Sequence, residues 1–178
     1  MIKNSKILES DRIKLRKADI SDLDFLYSLE NDTSLWYVSD TRTPFSKFDI
    51  RNHLENSIYD IYTTKQLRLI VELQSNKEIC GVADLFDFDP HNHRAGIGLV
   101  ICEKCRLQGI AKESLELLID YCRNVLCINQ IWGIVDEDNL ISMKLLKSLN
   151  FEKTGVLKLW KKSASGYKNV FFEQLIFD

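Results

Sequence analysis

The stretch IGLVICEKCRLQGIAKESL, residues 97–115, joins a short apolar strand to the start of a strong helix. The strand runs from Gly96 to Cys102. The helix runs from Ile110 to Leu126 and turns Leu115, Leu118, Ile119, Cys122 and Val125 toward a core. Between them lies Arg106-Leu107-Gln108-Gly109-Ile110-Ala111. The first N–H groups of a helix have no internal acceptor, and the macrodipole adds partial positive charge there. Gly109 lets the main chain come close to a bulky anion, Ala111 is small, and Arg106 and Lys112 add full charges. These features suit a pyrophosphate, although a plain helix start explains a single glycine equally well.

Two neighbouring signals bear on that choice. Gly96 and Gly98 interrupt the strand, marking either the approach of a ligand or a tight packing point under a helix. After the next strand, Val135-Asp136-Glu137-Asp138-Asn139 leads into a further helix. Asn139 can cap that helix or offer its amide to a ligand, and Ser142 faces the same side one turn on.

Working outward, Arg12–Arg16 alternates as a first strand, and Ser21 with Asp24 resembles an acidic capping box before a helix. A second helix starts near Ser46, with Ile50, Leu54 and Ile58 on one face. Leu67–Leu73 and Ile79–Phe88 read as a hairpin, and Asp89-Pro90-His91-Asn92-His93 as a turn. Gln130–Val135 is a strand, and Asn139–Leu149 a helix. Thr154–Lys162 and Asn169–Phe177 close the chain around a Ser165-Gly166 turn. The strands on either side of the Gly109 helix should be parallel neighbours. The order predicts an α+β fold: one domain over residues 1–178, with a mixed, mainly antiparallel sheet flanked by helices.

A net charge of −2 lacks the clustered excess of Lys and Arg that a nucleic-acid surface needs. No stretch has the length and apolarity of a signal peptide or membrane span, so the expected compartment is the cytoplasm. The five cysteines, odd in number and irregularly spaced, read as reduced thiols, and the Cys102/Cys105 pair as incidental strand-end residues. His91 and His93 lack a third ligand and read as surface residues, so no metal site is expected.

The strand IGLVI, the Arg106-x-x-Gly109-x-Ala111 loop and the block from Asn139-x-x-Ser142 to Leu149-Asn150-Phe151 together resemble the GCN5-related N-acetyltransferase (GNAT) family. The most similar branch is that of the spermidine/spermine and ribosomal-protein N-acetyltransferases. The resemblance implies the acyl-CoA N-acyltransferase fold, with acetyl-CoA as co-substrate and a small-molecule or peptide amine as acceptor. It also implies that the backbone of Leu99, Val100 and Ile101 pairs with the pantetheine arm. Arg106, Leu107, Gln108, Gly109, Ile110, Ala111 and Lys112 would then cradle the pyrophosphate, and Asn139, Ser142 and Lys147 would line the far side. Relatives often form homo-oligomers.

The sequence departs from the family at three places. Asn150 stands for the usual glycine, Leu146 for a tyrosine acid, and Gly96 for an acidic residue. The general base must come from elsewhere, and the candidates are Asp84, an acidic position in the polyamine enzymes, and Glu72. Asp87 and Asp89 read as solvated turn residues, and Tyr167 as a turn aromatic, with a proton-donating acid as the alternative. Trp36 and Tyr37 either wall the acceptor pocket or belong to the core. Four readings stay open: acetylation of a polyamine or diamine, acetylation of a protein α-amine or other amine, a non-catalytic acyl-CoA-binding module, and a phosphate-binding α/β protein using another nucleotide. For the last of these an unmodified P-loop is absent, because no Gly-Lys-Ser/Thr follows the glycine.

Overall fold

The computed structural model describes residues 7–36, 41–56, 60–163 and 166–177. Strand β1 (Ile13–Lys17) leads through a 3₁₀ turn (Ile20–Asp22) into α1 (Leu23–Glu30). Helices α2 (Lys47–Asn56) and α3 (Ile61–Thr64) follow, then strands β2 (Leu67–Leu73), β3 (Ile79–Asp89) and β4 (Arg94–Ile101). A second 3₁₀ turn (Glu103–Cys105) precedes α4 (Ile110–Asn124). Next come β5 (Gln130–Asp136), α5 (Leu140–Ser148), β6 (Glu152–Ser163) and β7 (Gly166–Ile176). The strands form one sheet in the order β1-β2-β3-β4-β5-β7-β6. Among the described residues only β4 and β5 run parallel, because α4 carries the chain back across the sheet between them. This is the mixed, mainly antiparallel sheet the sequence predicts.

Each face of the sheet buries its own core. Leu69, Val71, Ala83, Leu85, Ile97 and Ile101 pack with Ile110, Leu115 and Leu118 of α4 and Leu146 of α5. Ile70 and Val82 face the other way, onto Leu26 of α1 and Ile50 and Leu54 of α2. The period-2 alternation of β2 and β3 thus separates an α4/α5 face from an α1/α2 face.

The local boundaries have specific causes. The capping box sits earlier than Ser21 and Asp24 suggest. Asp19 Oδ1 accepts from Ser21 N, and Asp22 Oδ2 accepts from Asp19 N, so the box opens the 3₁₀ turn. At α2 the expected start holds, with Ser46 and Asp49 bonding each other's backbone N–H reciprocally. Helix α4 ends at Asn124, which leaves Val125 off its apolar stripe and exposed. Asn150 adopts φ 65°, its N–H bonds the Lys147 carbonyl, and Phe151 N–H bonds that of Leu146. That is a Schellman ending, which needs a left-handed residue at this point. Asparagine tolerates the conformation, which accounts for its replacing glycine.

Candidate active site

Strands β4 and β5 touch only at their beginnings. The paired residues are Arg94 with Gln130, Ala95 with Ile131 and Gly96 with Trp132. Beyond Gly96, β4 continues on β3 and β5 continues on β7, so the two strands part. Cys102 donates its N–H to Cys80 of β3, so the even residues of this end of β4 turn their backbone groups toward β3. The odd residues face the opening. Leu99 therefore presents both its N–H and C=O there, and Ile101 its N–H, while the Ile101 carbonyl accepts from Arg106 Nε at 3.0 Å. Val100 differs from the expectation. Its carbonyl points at Gly81 of β3, so its backbone is not available along the open edge.

The opening leads to the loop before α4. Leu107 and Gly109 have φ 60° and 80°, and Leu107 is fully exposed. Gly109 is the N-cap of α4, and no side chain caps the helix. The first amide to find a helical acceptor is that of Glu113, on the Gly109 carbonyl, so the N–H groups of Ile110, Ala111 and Lys112 precede the helical ladder. A Cβ at Gly109 would have one neighbour, Arg12 Nη1 at 3.8 Å. Arg12, the residue before β1, holds the loop: its Nη2 donates to the Gln108 carbonyl at 2.8 Å, and its Nη1 lies 3.3 Å from Glu113. Gln108 also donates to the Lys104 carbonyl, and Lys112 pairs with Glu116 along the helix.

Across the opening, Asn139 Oδ1 caps α5 by accepting from Ser142 N at 3.1 Å, which leaves its amide NH₂ for a ligand. Ser142 is half-buried and Lys147 exposed on the same helix. Leu146 is buried, with its Cδ1 3.8 Å from where a Gly133 Cβ would stand, beside Ile97.

On the α1/α2 face lies a cleft of about 400 Å³, whose lining includes Lys17, His53, Leu54, Arg68, Asp84 and Phe86. Arg68 bonds Asp84 through Nε (2.8 Å) and Nη2 (3.2 Å), and Glu30 through Nη1. Asp84 is in register with Gly98 of β4, whose missing side chain leaves Asp84 Cβ and Phe86 as the nearest atoms there, at 3.7 and 3.8 Å. Gly98 thus opens the surface between the cleft and the β4 edge. Gly96 has another cause: a Cβ would stand 2.4 Å from Phe86 Cε2. Phe86 meets Trp132 edge-on, and Trp132 stacks on Phe172. Gly96 is therefore a packing point, under an aromatic ring rather than under a helix.

Residues 12–152 match the model of the acetyltransferase (GNAT) domain, most of the chain. The chain belongs to the GNAT acetyltransferase family. Enzymes of this family use acetyl-CoA. The chain is 29% identical over 170 residues to an uncharacterized N-acetyltransferase, p20, of Bacillus licheniformis, covering 95% of each. It is 22% identical over 151 residues to spermidine N(1)-acetyltransferase of Vibrio cholerae, covering 83% of each. A crystal structure of the Vibrio cholerae spermidine N-acetyltransferase with CoA and spermine has the same fold, with a TM-score of 0.86 at 18% identity over 94% of this chain and 96% of that one. A dodecameric structure of that enzyme matches with a TM-score of 0.80 at 20% identity over 94% and 95%.

Within this GNAT fold, the remaining residues named from sequence are dispersed. Glu72 lies outside the cleft lining, where it accepts from Arg16 Nε at 2.6 Å and lies 3.7 Å from Lys77 Nζ. Asp89 caps its own turn, and hydrogen bonds from Asn92 pull its carboxyl down to about 2. Trp36 donates to the Glu30 carbonyl at 2.8 Å, while Tyr37 lies outside the described residues. Tyr167 is exposed on β7. Burial and the neighbouring Cys105 push the Cys80 thiol up to about 12, the reverse of a reactive redox thiol. Among the described residues, no three side chains of metal-ligand type are grouped. Sequence reasoning missed Arg68, Glu30 and His53. The one signal available was a charged residue at an inward strand position, Arg68 between Leu67 and Leu69.

Proposed function

We propose that this GNAT enzyme, a single domain over residues 1–178, transfers the acetyl group of acetyl-CoA to a primary amine held in the Arg68–Asp84 cleft. The observation that carries the reading is the parting of β4 and β5 beyond Gly96, next to a helix start without a side-chain cap. The residues fit the co-substrate. The open edge of Leu99 and Ile101 suits the amides of a pantetheine arm, as a peptide adds to a strand. Val100 would contribute contact from its side chain alone. Arg106, Leu107, Gln108, Gly109, Ile110, Ala111 and Lys112 supply amides and charge for a pyrophosphate. Asn139, Ser142 and Lys147 would line the α5 side.

In the reaction the amine nitrogen attacks the thioester carbonyl, the C–N bond forms and the C–S bond breaks. An ammonium acceptor must first lose one proton, and the attacking nitrogen then loses a second, which ends on the CoA sulfur. Of the two carboxylates named from sequence, Asp84, which lines the cleft, would receive a cationic amine, whereas Glu72 is not part of the cleft lining. Leu146, in the family's tyrosine position, has no proton to give. A thiolate of pKa roughly 8.5 leaves without obligatory protonation.

Likeness to spermidine acetyltransferase supports a diamine or polyamine acceptor. The cleft itself supports a compact acceptor with one ammonium: among the described residues, Glu30 and Asp84 are balanced by Arg68 and Lys17. The test is thiol release from acetyl-CoA with spermidine, putrescine, short peptides and aminoglycosides side by side. Amine-dependent release by at least one acceptor is expected. Tight acetyl-CoA binding with no release on any amine would leave a binding module instead.

A further inference from the structure

The geometry points to His53 of α2 as the group that takes the proton from the acceptor amine. This rests on the acetyl-transfer reading above. His53 of α2 lines the same cleft as Asp84 of β3. Both Asp84 oxygens already accept from Arg68, and Glu30 is bound to the same guanidinium. Three N–H groups of the planar Arg68 guanidinium hold these carboxylates in fixed positions. They are suited to orienting an ammonium and a poor choice for receiving its proton. Neither ring nitrogen of His53 is hydrogen-bonded to a described residue, so a lone pair is open to an amine or to an intervening water. The residue stands at the exposed rim of the cleft, which gives the proton a way out to solvent.

The charges around His53 come from every wall of the cleft. Arg68 of β2 and Lys17 at the end of β1 are positive, while Glu30 of α1 and Asp84 of β3 are negative. Partial burial, first, and the Arg68 charge, second, hold the imidazole below the ordinary histidine value, against the smaller opposing pulls of Glu30 and Asp84. The ring is therefore neutral near pH 7, the state a base must have. In the reaction a ring nitrogen takes one proton from the ammonium, the freed amine attacks, and the imidazolium returns that proton to solvent. The second proton, lost from the new amide nitrogen, accounts for the CoA thiol.

The experiment is the pH dependence of kcat/KM for the best acceptor, in the wild type and three variants, with acetyl-CoA affinity and melting temperature measured alongside. The wild type should lose activity with falling pH through a group titrating below about 6.5. His53→Gln should lower kcat/KM about 100-fold at pH 7 and abolish that limb, with acetyl-CoA affinity within about twofold. His53→Ala should be rescued by added imidazole. Asp84→Asn removes a negative charge that supports the imidazolium, so the limb should move to lower pH rather than vanish. A His53→Gln enzyme with wild-type kcat/KM and the same acid limb would overturn the assignment, as would loss of the limb in Asp84→Asn alone. A wild type with no amine-dependent release at all would instead overturn the acetyl-transfer reading on which the assignment rests.

Discussion

Gly109→Trp should weaken acetyl-CoA binding about 100-fold, close to 2.8 kcal/mol, while the protein still folds. The asymmetry follows from what surrounds the position. A Cβ here would have only Arg12 Nη1 within 4 Å, at 3.8 Å, so the backbone around Gly109 leaves room for a side chain to start. That same space is where the N–H groups of Ile110, Ala111 and Lys112 open, and an indole there blocks an anion from reaching them. The left-handed φ of 80° adds a conformational cost of about 1–2 kcal/mol for a side chain. For a chain of this size, that lowers the melting temperature by roughly 2–8 °C. Gly109→Asn separates the two effects, because asparagine tolerates the backbone conformation and carries less bulk. It should bind better than Gly109→Trp and melt higher. Calorimetric titration with acetyl-CoA and a thermal melt read both quantities. Wild-type affinity in Gly109→Trp would remove this loop from the cofactor site.

Gly81→Ala should be the most destabilising single-methyl change in the sheet, by about 3 kcal/mol. Its Cβ would stand 2.0 Å from the Val100 carbonyl oxygen and 3.0 Å from Ile101 Cα. Both are backbone atoms of β4, so no rotamer change can relieve the contact. The strands must separate where Cys102 N–H bonds the Cys80 carbonyl at 2.8 Å, next to the edge on which Leu99 and Ile101 lie. The expected fall in melting temperature is roughly 6–12 °C. Gly98→Ala is the control on the same pair of strands. Its Cβ meets Asp84 and Phe86 at ordinary contact distances, and its melting temperature should stay within about 2 °C of the wild type. Equal melting of the two variants would contradict the described approach of β3 to β4.

What was legible in the sequence was local. The α4 loop could be read because its glycine, its small residue and its flanking charges are consecutive. The element order followed from hydrophobic period, and the parallel β4–β5 pair from the helix between them. Asn150 was visible as a departure, although its φ of 65° was needed to show why it is tolerated. What could not be read was set by side chains meeting across the fold. Arg68 joins Glu30 and Asp84 over sequence separations of 38 and 16 residues. Arg12 reaches Gln108 across 96 residues. Asp84 and Glu72 are both acidic strand residues, told apart in sequence only by a resemblance at Asp84, and the third dimension puts one in the cleft and the other beside Arg16. The direction of the Val100 carbonyl depends on hydrogen-bond alternation, which apolar composition does not carry. Gly96 hides its reason in a distant ring, that of Phe86.

The central claim is that the parted edge of β4 and the start of α4 together hold acetyl-CoA. Amide hydrogen exchange with and without saturating acetyl-CoA tests it residue by residue. Leu99, Ile101 and the amides from Leu107 to Lys112 should exchange more slowly in the complex, with Val100 unchanged because its backbone is turned to β3. Slowed exchange elsewhere in the chain, with residues 99–112 unaffected by a demonstrably bound cofactor, would contradict it.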